Sequence, residues 1–228
     1  MKNMLDILVG GVMYWVCGWA LAHGSGGTAF SGGGNFFTKN LPQEMYPIFF
    51  FDYMFASTAI TIVSGSIAER CPILAYMVYS VVISGKSNLL FYNLDTLISG
   101  VECVQNVKEY FILLGWVYPI SAHWLWGWSG DPSKEGWLLH LGCHDFAGSG
   151  GVHLLGGIAA LVGCYLIRPR KGRFTQDGKP VKIPGHSMPL SALGGFFLVI
   201  GFLAFNGGTK VRENDDCTYL SIFHTKMI

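Results

Sequence analysis

The stretch Asp145-Phe-Ala-Gly-Ser-Gly-Gly-Val-His153 holds an acid and an imidazole at the head of an apolar run. An Asp in the first turn of a helix meets the positive end of the helix dipole and can cap the free amides there. His153 lies eight residues further on, about 12 Å along a helix axis, in the middle of the run. An imidazole in such surroundings must face a cavity or a polar partner, or serve as a hydrogen-bonded packing residue. On the same run Gly156 and Ala160 form a small-residue pair that Gly163 extends, which admits a close neighbouring helix. Phe51 and Phe55 are four residues apart and share a helix face, and Trp126 ends another apolar segment. Aromatic faces attract cations through their quadrupole, most strongly where water is excluded. A terminal Trp is equally a routine membrane-interface residue.

Other chemistries find less support. His140, His144 and Asp145 have zinc-ligand side chains, but they flank Gly142 in a loop, with no general base or open coordination geometry evident. No metal and no cofactor is expected. No glycine-rich stretch ends in Lys-Ser/Thr or follows a strand as G-x-G-x-x-G, so nucleotide binding has no basis. The net charge of +1 gives no field to recruit nucleic acid. Six cysteines without C-x-x-C spacing make no disulfide framework. Cys17 and Cys164 lie in apolar runs and read as small packing residues.

The elements that position these residues are apolar helices. The 228 residues are 51% hydrophobic and 13% charged, about half the charge of a soluble chain, with 31 glycines. A bilayer core of about 30 Å needs about 20 apolar residues as helix. Five windows meet that length: 4–21, 45–67, a third broken into 71–85 and 111–128, then 146–167 and 188–206. The fold class expected is all-α, a polytopic transmembrane bundle of about five spans. No cleavage pattern follows Met1-Lys2-Asn3, so the first run reads as a retained span. Arg168, Arg170, Lys171, Arg173, Lys179 and Lys182 share one loop, which the positive-inside bias puts in the cytoplasm, with Lys2 and Arg70. Loops 22–44 and 129–145 then fall outside, carrying only Lys39 and Lys134. The expected topology has the N-terminus cytoplasmic and the fifth span ending outside. The charged insert 86–114 and the tail 210–228 break the pattern. The expected domain is therefore residues 1–209, interrupted by 86–114, and both irregular stretches (Cys103 and Cys217 among them) read as translated non-coding sequence.

Four segments together resemble the Amt/Mep/Rh ammonium transporter family, on the Amt side. They are Asp145-Phe-Ala-Gly-Ser-Gly-Gly-Val-His153-Leu-Leu-Gly-Gly-Ile-Ala-Ala, Phe55-Ala-Ser-Thr-Ala-Ile-Thr-Ile-Val-Ser-Gly-Ser-Ile-Ala-Glu-Arg70, Ala122-His-Trp-Leu-Trp126-Gly and Ala204-Phe-Asn-Gly-Gly208. The resemblance covers about residues 4–85 and 115–209. It implies a plasma-membrane transporter or channel, not an enzyme, that recruits ammonium, removes its proton and passes ammonia through a hydrophobic pore. By position, Trp126 is the recruitment site, lined by Phe51 and helped by Thr209, and Asp145 is the acid that shapes it. Phe55 and Phe205 are the gating rings, and His153 is the first of two pore histidines. Family members are homotrimers of eleven-span subunits built from two inverted five-span halves. The chain corresponds to spans two to six, one wall of that pore, so it is not expected to conduct by itself. A non-conducting subunit or ammonium sensor of the same fold is the alternative; a metal-dependent membrane enzyme is the third reading.

Overall fold

The structure, a computed structural model, describes residues 2–70, 117–127, 131 and 133–208. The windows at 71–85 and 111–116, the insert 86–114, Trp128, Thr209 and the tail 210–228 lie outside the described residues. The chain divides into two compact units, Met1–Lys171 and Gly172–Ile228.

In the first unit the opening helix runs as α1 (Lys2–Met13), one π-helical turn (Tyr14–Gly18) and α2 (Trp19–His23). Its close partner is α3 (Tyr46–Ile67). Gly11 leaves just enough room for Tyr53, whose hydroxyl oxygen lies 3.1 Å from where a Cβ would stand, and the Tyr53 hydroxyl donates to the Ile7 carbonyl at 2.6 Å. Tyr14 and Trp19 are fully buried, and both rings pack on Phe49. The first turn of α3 holds Pro47, whose missing amide suits that place. The hydroxyls of Thr58, Thr61, Ser64 and Ser66 each donate back to a carbonyl three or four residues earlier, at 2.7–2.9 Å. Those polar groups are thus satisfied within the helix, as hydrocarbon surroundings demand.

The fourth window is helical from Ser149, as a π-helical stretch (Ser149–Leu154) continuing into α6 (Leu155–Ile167). The α3–α6 seam is lined by Gly156, Ala159 and Gly163, all buried. A Cβ on Gly156 would meet Ile62 at 3.0 Å, and one on Gly163 would meet Ile67 at 3.3 Å. The small-residue stripe forms as expected, except that Ala159 takes the inner position and Ala160 is half-buried. At the far end of this seam the Arg170 guanidinium pairs with Glu69, and Arg70 Nη1 lies 2.9 Å from Cys164 Sγ. Arg70 and Arg170 therefore share one end of the bundle.

Between the seams stand α4 (Val117–Trp126), which is the described remainder of the third window, and the single turn α5 (Trp137–His140). In the loop before α5 the Ser133 hydroxyl and amide, with Lys134 beside them, hold the Asp131 carboxyl below the usual carboxylate range. In the second unit a β-bridge joins Phe174 to Pro180 across a turn at Gly178. α7 (Met188–Gly208) follows, its apolar side chains exposed along most of its length.

Three helical stretches among the described residues are long and apolar enough to cross a membrane: Gln43–Ile67, Ser149–Ile167 and Met188–Gly207. The first window is helical throughout.

Candidate functional site: an aromatic cluster over a capped helix

α3 places Phe51 and Phe55 one turn apart with ring centroids 4.7 Å apart. Phe55 is buried at 4% exposure, and its ring meets Trp126 at the end of α4 at 5.7 Å and 88°, edge to face. Phe51 and Trp126 are half-buried, so the cluster is closed on the Phe55 side and accessible at its flanks. The Trp126 Nε1–H donates to the Asp145 carbonyl at 2.9 Å, which fixes the edge of the indole. Gly151 lets that ring lie against the next helix, since a Cβ there would stand 3.0 Å from Trp126 Cη2 and from Leu125 Cδ1.

Asp145 itself lies outside the helix it serves. Oδ1 accepts from the amides of Gly148 (2.7 Å) and Ser149 (2.9 Å), and Oδ2 from those of Gly150 (2.9 Å) and Gly151 (2.7 Å). One carboxylate thus takes up the free donors of a helix N-terminus, where its charge also opposes the helix dipole. Reaching all of them requires the chain to double back at Gly148, whose φ of +84° suits glycine. This corrects the sequence reading in one respect: the helix opens at Ser149, not at Phe146, and Asp145 caps it from four residues before its start. His153 consequently sits within the π-helical stretch, four residues from its start, and is half-buried. The fully buried neighbour is Val152, which packs at Gly148 beside Phe55.

Phe51, Phe55, Trp126 and Asp145 are thus brought together. Phe205 is half-buried on α7 in the second unit, against Phe202 at 6.3 Å. His140 and His144 are exposed.

Sequence reasoning missed two buried histidines. His23 Nε2, at the end of α2, lies 2.9 Å from Asp52 Oδ2 on α3, with side chains 4% and 6% exposed. His123 on α4 sets Nδ1 2.8 Å from the Ala22 carbonyl and Nε2 2.8 Å from that of Thr28. A usable signal existed for the first pair, because an Asp inside an apolar window requires a polar partner.

A helical chain with membrane-length apolar spans and a small-residue helix seam is the design of an integral membrane protein. The Ammonium Transporter Family model matches residues 1–94 and 106–227, and the chain belongs to that family. It is 38% identical over 214 residues to ammonium transporter 1 member 4 of Arabidopsis thaliana, covering 92% of this chain and 36% of that protein. To ammonium transporter Amt2 of Archaeoglobus fulgidus it is 35% identical over 221 residues, 94% of this chain and 41% of the relative. The solved structure of a protein named Sensor Amt Protein superposes with a TM-score of 0.70 at 31% identity, over 91% of this chain and 45% of that one. The chain therefore spans less than half the length of each of these relatives.

Proposed function

We propose that this chain forms one wall of an ammonium and ammonia passage, with Phe51, Phe55 and Trp126 as its cation-recruiting face. The observation that carries the reading is the Phe51–Phe55–Trp126 cluster, tied through the Trp126 indole to the Asp145-capped turn that also carries His153. Ammonium and potassium are close in size, so radius does not separate them. Ammonium donates hydrogen bonds and can release a proton; potassium does neither. A dry aromatic site draws the cation by its charge, and an apolar passage beyond excludes any ion that stays charged, because burying an unpaired charge is prohibitive. Neutral ammonia passes with an imidazole edge as partner. In this reading His153 is that partner, Phe55 and Phe205 gate the passage, and Thr209 helps hold the cation. The complete assembly is a homotrimer in the plasma membrane, its N-terminus cytoplasmic.

The test is methylammonium quenching of tryptophan fluorescence in the purified chain in lipid nanodiscs, with Trp126→Leu beside it. Loss of one cation–π face weakens apparent affinity about tenfold, the equivalent of about 1–2 kcal/mol. Equal quenching in the two proteins refutes the assignment. The likeness to a protein named as a sensor is compatible with the second reading, a non-conducting subunit or sensor. Co-assembly with a full-length transporter that alters its response, without uptake by this chain, selects that reading.

A further inference from the structure

The Phe55–Trp126 contact bridges α3 and α4, yet these helices meet each other only lightly, and α4 rests chiefly on α2. α3 meets α2 as lightly, and the π-helical stretch Ser149–Leu154 touches both α3 and α4, so what α2 adds to the register of Trp126 against Phe55 is its polar links. Two adjacent residues at the end of α2 make the links. The Ala22 carbonyl holds the His123 ring of α4, whose other nitrogen reaches Thr28 in the following loop. The His23 side chain holds Asp52 of α3. On a helix of 3.6 residues per turn, Phe55 lies roughly 40° from Phe51 and 60° from Asp52, between the two. The His23–Asp52 contact thus borders the ring-bearing face of α3, and His123 lies one turn below Trp126 on α4. All three side chains are buried: His123 is 3% exposed, and the His23 and Asp52 side chains 4% and 6%. Apolar packing alone fixes helix register loosely, whereas a directional polar contact in hydrocarbon fixes it in one place.

We infer that His23, Asp52 and His123 are positioning residues, a clasp at the end of α2 that sets the Phe51/Phe55 face against Trp126. Its use in cation recruitment rests on the function proposed above; the clasp itself is geometric. The full chain in nanodiscs, isotope-labelled in Phe and Trp, reports the ring-to-ring nuclear Overhauser contact of Phe55 with Trp126 without any ligand. His23→Leu and, independently, His123→Leu keep apolar volume and remove the directional contact, so the ring contact is lost. His23→Gln and His123→Gln keep a donor and restore it. A role in packing alone would be met as well by Leu as by Gln. Methylammonium affinity falls about tenfold in the Leu variants, as when one aromatic face is lost, and stays near the parent value in the Gln variants. If His23→Leu does not fold, the His123 pair of variants decides. Persistence of the ring contact in the folded Leu variants overturns the clasp. A ring contact that follows this pattern in a chain whose Trp126 is unmoved by methylammonium keeps the clasp and sinks the cation-site reading.

Discussion

Asp145→Asn separates a cap from a passive loop residue. The carboxylate accepts four amides, two on each oxygen. Asparagine keeps one oxygen and turns an NH2 toward the other pair of amides, so two acceptor contacts vanish and donor faces donor. Hydrogen bonds to a charged group contribute about 1.5–3 kcal/mol each. Asp145 is half-buried, so water replaces part of the loss. The expected destabilisation is then about 2–4 kcal/mol, above the ~1 kcal/mol of an ordinary cap. The assay is residue-resolved amide exchange in the purified chain. One pair of amides, Gly148 with Ser149 or Gly150 with Gly151, should exchange about 5–30-fold faster, roughly 1–2 kcal/mol per amide, while the other stays protected. Asp145→Ala should release both pairs. Unchanged protection in both variants would mean that the backbone of this turn is held without the carboxylate, and the account of its capping would be wrong.

The remaining tests concern the loop after α2 and the opposite end of the bundle. A Cβ at Gly24 would stand 2.2 Å from the carbonyl oxygens of Ala20 and Gly34, both backbone, whereas one at Gly65 meets nothing. Gly24→Ala should lower stability by about 1–3 kcal/mol and Gly65→Ala should leave it unchanged or raise it by up to about 1 kcal/mol, read from thermal unfolding in detergent. Glu69→Gln breaks an ion pair whose carboxylate is 67% exposed, so its unfolding midpoint should move by less than the equivalent of about 1 kcal/mol.

The spans at 45–67 and 188–206 were legible because an apolar run of membrane length has few other uses, and the observed helices follow those windows closely. Asp145 was legible as a cap because the dipole argument needs only an acid before a helix. The place where that helix begins was not legible, since it depends on Gly148 turning left-handed so that one carboxylate can reach several amides. The π-helical turns at Tyr14–Gly18 and Ser149–Leu154 were hidden for a related reason. Their extra residue per turn leaves no mark in a run that is apolar on every side. His23 stands where the apolar run gives way to the Gly-rich loop, and its partner Asp52 is 29 residues away. Local patterning carries no information over such a separation.

The hydropathy of α7 bears on how the chain is built into a bilayer. Among the described residues the helix has the highest hydropathy of the three membrane-length stretches, 2.1. Its own side chains thus supply a strong drive into lipid. A nick in the loop before it, between Lys171 and Met188, would leave the downstream piece still competent to insert by itself.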